Sequence, residues 1–252
     1  MNALPRLEQL RAPIAVDQLA RVQQMLAASE AQRLPLREVY NVLSRPPYGV
    51  RLGVLPVVIV AAIMEAQQEI AIYEDGAFLP ALEGPEIERM VRSPDRFAFQ
   101  RYAVAGPREA LVAEMVTELN ITGGEPTVLG IVRMLVRLTS GLPTFTRNTR
   151  RLSEPTKLVR EVLLRAKEPA PLLFAQLPVA LGFEPVLAQG GTNMRQLHKY
   201  AMALRTALKE LRLAYELLLS EFADRLATSF SLSSDLAHLR RVGEARRDQQ
   251  VM

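Results

Sequence analysis

At 252 residues, 49% hydrophobic and 23% charged, the chain has room for one large domain or two small ones with a real core. It contains no cysteine, which excludes disulfides, thiolate metal sites and a cysteine nucleophile and fits a reducing, cytoplasmic setting. The formal net charge of +4 is too mild to argue for nucleic acid by itself.

The N-terminal MNALPRLEQLRAPIAV is too polar for a signal peptide. Residues 16–31 then predict an amphipathic helix with Leu19, Val22 and Leu26 on one face. Leu36–Leu43 predicts a second, short helix. Ser44-Arg45-Pro46-Pro47 must end it, because proline lacks the helical donor and pushes the preceding residue out of the α region. Tyr48-Gly49 completes the elbow. A third helix is predicted from about Leu52 to Gln67, with Pro56 tolerable in its first turns. It is apolar nearly all round, so burial on most sides is expected. Its apolar run, Leu52 to Met64, falls short of the roughly 18 residues that a membrane span needs, and no membrane partner is expected. Glu69–Glu74 alternates as a half-buried strand does. Asp75-Gly76 makes a hairpin turn, Ala77-Phe78-Leu79 returns, and Pro80 stops the return. Pro85–Arg92 reads as a short helix, and Phe97, Phe99, Tyr102 and Val104 as one more strand.

After Gly106-Pro107 the pattern is helical. Helices are predicted over Arg108–Asn120, Pro126–Ser140 and from Ser153 to about Lys167, with Pro169–Gly182 broken into short turns. The longest helix should run from about Asn193 to Phe230. Leu197, Ala201, Leu204, Leu208, Leu211, Tyr215, Leu218 and Phe222 give it a three-four seam, as in coiled coils, and with it a route to a helix-mediated oligomer. A basic helix over Ser233–Arg247 follows, and the ending would suit a piece of a longer polypeptide. The expected fold is mainly α. A winged-helix-like part with a small β-hairpin (residues 1–105) precedes a helical domain with a long coiled-coil-like helix (106–252).

No reaction is legible. His198 and His238 are the only histidines and lack metal-ligand spacing. No G-x-S-x-G occurs, and Gly123-Gly124 and Gly190-Gly191 lack the phosphate-loop pattern. No cofactor or metal is expected. Glu74-Asp75 reads as a solvated turn. A DNA-reading helix carries Arg, Lys, Asn or Gln toward base edges, whereas the segment from Leu52 to Met64 has no polar side chain. The acidic hairpin tip would also repel phosphates. The better candidates for contacting a DNA backbone or an acidic partner are Arg147, Arg150, Arg151, Lys157 and Arg160, where hydroxyls and guanidiniums mix. A solvated basic face is the plainer reading of the same residues.

The string RPPYGVRLGVLP, followed by IAIYEDGAFLP and SPDRFAFQRY, resembles a segment of very large bacterial ATP-dependent proteins of phage-defence (BREX-like) and related conflict systems. LPTFTRNTRRLSEP and EPAPLLFAQLP resemble the helical stretch that follows in them. The resemblance covers about residues 36–180. It rests on Pro46, Pro47, Tyr48, Gly49, Arg51, Gly53, Pro56, Tyr73, Asp75, Gly76, Phe78 and Pro80. It implies a non-catalytic segment that links an ATPase or defence-complex subunit to other components or to double-stranded DNA. None of the family's nucleotide-binding motifs is present. Two further expectations stand beside it: a winged-helix DNA-binding transcriptional regulator, which would expose a face of the third helix or polar residues at its start, and an enzyme with a deep pocket around His198.

Overall fold

A computed structural model describes residues 13–121, 127–190 and 193–230. The described chain is mainly helical, with one small antiparallel sheet and a long C-terminal helix. The predicted basic helix over Ser233–Arg247 lies outside the described residues.

The N-terminal half is built from α1 (Pro13–Ala27), β1 (Leu34–Pro35), α2 (Leu36–Ser44), α3 (Leu55–Glu65), β2 (Ile70–Glu74), β3 (Ala77–Leu79), α4 (Gly84–Arg92) and β4 (Phe97–Arg101). In α2 the buried residues Leu36, Val39 and Leu43 form one stripe. The prolines then end it, and Val50 N–H returns to the Leu43 carbonyl at 2.9 Å. The third helix starts later than its composition suggests, since residues 52–54 form a turn with Pro56 just inside the helix. Asp75 (φ 50°) and Gly76 (φ 81°) both take the positive φ that a tight two-residue hairpin requires.

The strand order is β1-β4-β2-β3, so the hairpin is only one edge of the sheet. The central pairing joins β2 to β4, with Ile72 opposite Phe99. The two-residue β1, which sequence patterning is too short to show, pairs Leu34 with Phe99. Ile70, Ile72, Phe97 and Phe99 belong to a core shared with Val22, Leu26, Leu36, Val39, Leu43, Ile59 and Ile63. Ala71 and Tyr73, on the other face, pack with Leu129. The strand over 70–74 is therefore buried on both faces, not one: the helical half covers the side that would otherwise meet water.

That half comprises α5 (Pro107–Glu118), α6 (Val128–Ser140), α7 (Thr144–Asn148), α8 (Glu154–Arg165), α9 (Pro169–Pro171), α10 (Leu177–Ala180) and α11 (Met194–Phe230), with a single π-helical turn between α9 and α10. Thr127 caps α6 by accepting from Gly130 N–H at 3.1 Å. The α11 seam is buried at Leu197, Ala201, Leu204, Leu208 and Leu211 among residues of α5, α6 and α8. It then opens, with Tyr215 38% and Phe222 58% exposed. The seam's first half is thus spent within the chain. At the joint between the halves, Arg33 lies 3.7 Å above the Tyr73 ring and pairs with Glu168 at 2.9 Å. The Tyr73 and Tyr102 hydroxyls meet at 2.6 Å. Burial raises the pKa of both phenols, so they stay neutral across the physiological range.

Candidate docking surface

The five cations singled out by sequence do not form one patch. Arg160 is buried at 8% exposure, and its Nη1 donates to the Thr146 and Thr149 carbonyls at 3.1 and 2.6 Å. Its Nε and the Thr146 hydroxyl have no partner among the described residues. Arg160 therefore holds the 146–149 backbone to α8 and is not available to a ligand. This corrects the expectation that Arg160 contacts a DNA backbone or an acidic partner. Arg147 donates to the Ser140 carbonyl at 2.6 Å, satisfying the C-terminus of α6. Lys157 pairs with Glu154 at 2.7 Å, and Arg151 with Glu221 of α11 at 3.0 Å. Arg150 is exposed and makes no ion pair among the described residues.

Glu210 of α11 explains much of this loop's order. Its carboxylate accepts from Ser153 N–H (2.7 Å), Ser153 Oγ (2.6 Å) and Thr156 Oγ1 (2.5 Å). It thereby caps α8 from outside the helix. Partial burial pushes its pKa up, but these hydrogen bonds outweigh that and leave it lowered.

The third helix differs from expectation in the opposite sense. Leu55, Val58, Ile59, Ala62 and Ile63 are buried, as an apolar helix predicts. Val57 and Met64, however, are 60% and 40% exposed, with Val60 and Ala61 half-buried between them. Their i, i+3, i+4, i+7 spacing makes one face. In the preceding turn Leu52 and Val54 are 69% and 47% exposed. Arg45 and Arg51 stand exposed at the elbow. The helix thus has an open face, and that face carries no hydrogen-bonding side chain. A uniformly apolar segment has no period that tells a core face from a bare one.

The hairpin tip is not an open acidic surface. Glu74, 11% exposed, is gripped by Arg89 at 3.0 Å and by Arg96 at 3.2 Å, while Arg96 reaches Asp75 at 2.5 Å. The Arg96 hydrogen bond holds the Asp75 carboxyl below its ordinary range. Glu74 is therefore part of an ion-pair cluster, and the charge expected to repel phosphates is locally balanced.

His198 does gather carboxylates. Its Nδ1 meets Glu114, Glu118 lies 3.9 Å away, and Arg205 reaches Glu118 at 3.3 Å. The three ligand atoms lie within 4.8 Å of one another, and their types suit zinc. The cluster sits at the surface, not in a deep pocket: the His198 side chain is 48% exposed. Arg205 already balances Glu118, so the arrangement is complete as a clamp between α5 and α11. The sequence singles out His198 but not its partners, because Glu114 and Glu118 look like ordinary helix-surface acids until α11 crosses them. The Glu114 hydrogen bond raises the His198 pKa.

No family model, curated protein or solved structure matches this chain. Among the described residues, no helix is long and apolar enough to cross a membrane.

Proposed function

We propose that this chain is a non-catalytic docking module of a larger ATP-dependent bacterial defence or DNA-processing assembly. The observation that carries the reading is the open apolar face of Val57, Val60, Ala61 and Met64, with exposed Leu52 and Val54 in the turn before it. Contiguous exposed apolar surface of this kind marks interaction sites. Covering each of these partly exposed side chains would contribute on the order of 1–2 kcal/mol. Association costs roughly 4–15 kcal/mol in lost freedom, so the patch would anchor a partner but needs further contacts for a stable complex. The resemblance over residues 36–180 supplies the kind of partner, a larger ATPase or defence-complex subunit.

The order α1, β1, α2, α3, followed by antiparallel strands with β4 between β1 and β2, supports a winged-helix-like reading of the N-terminal half. In it, β3 and α4 are an elaboration of the wing. An open third-helix face also favours the alternative, a winged-helix DNA-binding regulator, but its lack of donors and acceptors weighs against base reading. Backbone contact remains open to Arg150, with exposed Arg147 and Arg151 beside it. With so few phosphate contacts, duplex affinity would be weak and its dependence on salt shallow.

The test is expression of the tagged chain in its native host, with quantification of co-purifying proteins. The wild type should retain an ATPase subunit in fixed ratio, and Val54→Glu with Val57→Glu should lose it while melting unchanged. Salt-sensitive, sequence-selective duplex binding with no protein partner would overturn the reading.

A further inference from the structure

At the joint between the two halves lies a groove of about 590 Å³. Ile63, Met64, Leu79 and Met134 contribute apolar walls, and Arg133 and Arg137 project from α6 into the same space. Met64 belongs both to this groove and to the apolar face of α3, so the two surfaces are continuous.

Two features set this groove apart. Arg133 and Arg137 are one helical turn apart and form no ion pair among the described residues, and no described lining residue is acidic. Holding two like charges in one concavity is unfavourable without a counter-charge. The conflict is visible in Arg133, whose pKa is lowered by burial and by Arg137. Arg133 uses one donor on the Gln67 carbonyl, at 2.8 Å, and among the described residues the rest of its fork is open. A second groove of similar size, between α8 and α10, carries Glu161 and Arg165 together and so shows no preference of sign.

We propose that the groove at the joint binds an acidic, aliphatic segment of a partner protein, with a carboxylate on Arg133 and Arg137 and an aliphatic side chain against Ile63, Met64 and Met134. The lining decides among anions. Among the described residues it contains no aromatic side chain on which a base could stack, which disfavours a nucleotide. Its mixture of aliphatic and polar groups fits a peptide better than a bare phosphate chain. The Arg pair suits bidentate carboxylate capture. This inference rests on the docking reading and supplies the further contacts which that reading needs.

The probe is a short fluorescein-labelled peptide alternating Glu with Leu, titrated by anisotropy against the full chain. Counterparts carry Lys for Glu or Ser for Leu. The acidic aliphatic peptide should bind saturably and both counterparts should lose most of the affinity. Arg137→Glu should weaken binding about tenfold or more, Arg133→Lys less, and Arg150→Glu not at all. Arg137 is exposed, so its variant should melt with the wild type. Arg133→Lys keeps the charge if Arg133→Glu fails to fold. Absence of binding, equal binding of the Lys peptide, or indifference to Arg137→Glu would overturn the proposal. Equal binding of the Ser peptide, displaced by inorganic phosphate, would replace it with a simple anion site. Failure here with host co-purification still dependent on Val57 would sink the groove alone. Peptide binding alongside co-purification indifferent to Val57 would sink the α3 docking face alone.

Discussion

The third helix and the arginine-rich loop before α8 reverse each other. α3 and the turn before it are so apolar that composition assigns them to the interior, yet Leu52 and Val54 of the turn and Val57 and Met64 of the helix stand in solvent. The 147–160 segment is so basic that composition assigns it to the surface, yet Arg160 is buried and Arg147 serves the end of α6. Composition reports what a segment can do, and neighbours decide which part of that capacity the fold uses. Here the fold engages four of the five cations singled out in the 147–160 segment and leaves apolar surface over around α3.

The sharpest way to break this contrast is within α3 itself. Ile59→Ala should cost about 2–5 kcal/mol in urea unfolding, since a fully buried methyl-rich side chain leaves a cavity. Val57→Ala, two residues away, should stay within about 0.5 kcal/mol of wild type. Equal costs would mean that the open face is covered in solution.

The loop offers the next test. Arg160→Met should cost about 2–3 kcal/mol, because the Thr146 and Thr149 carbonyls lose a charged donor. Glu210→Gln should cost about 1 kcal/mol, since an amide keeps some acceptance but loses the charge. Arg150→Glu should change stability by no more than about 0.5 kcal/mol.

The smallest effects come from pH. Glu210 has a lowered folded pKa, so its contribution is present above the ordinary value of 4.5 and is lost as pH falls through the folded value. His198 has a raised folded pKa, so its contribution is complete below the ordinary value of 6.5 and is lost as pH rises through the folded value. Melting temperatures followed across pH should fall at both ends for these reasons. His198→Gln should flatten only the neutral-side decline, and Glu210→Gln only the acid-side one. A decline on the neutral side that survives His198→Gln would remove the clamp from the account.

Much of the fold was legible because local signals were strong. Asp75-Gly76 fixes the hairpin, Pro46-Pro47 ends α2, and the α11 seam predicts the burial of Leu197 through Leu211. The remainder depended on long-range pairing. Nothing near Leu34 shows that it will pair with Phe99, and nothing near Tyr73 shows that Leu129 will cover it. The candidate site was half legible for the same reason. The apolar run was visible, its open side was not, and Arg133 and Arg137 became a pair in a groove only when β3 and α3 closed around them.

The most direct measurement places a photo-reactive residue at Val57 in one variant and at Arg150 in another, and cross-links both in host cells. The account predicts a protein adduct from position 57 and little from position 150. A nucleic-acid or protein adduct from position 150, with none from position 57, would contradict it.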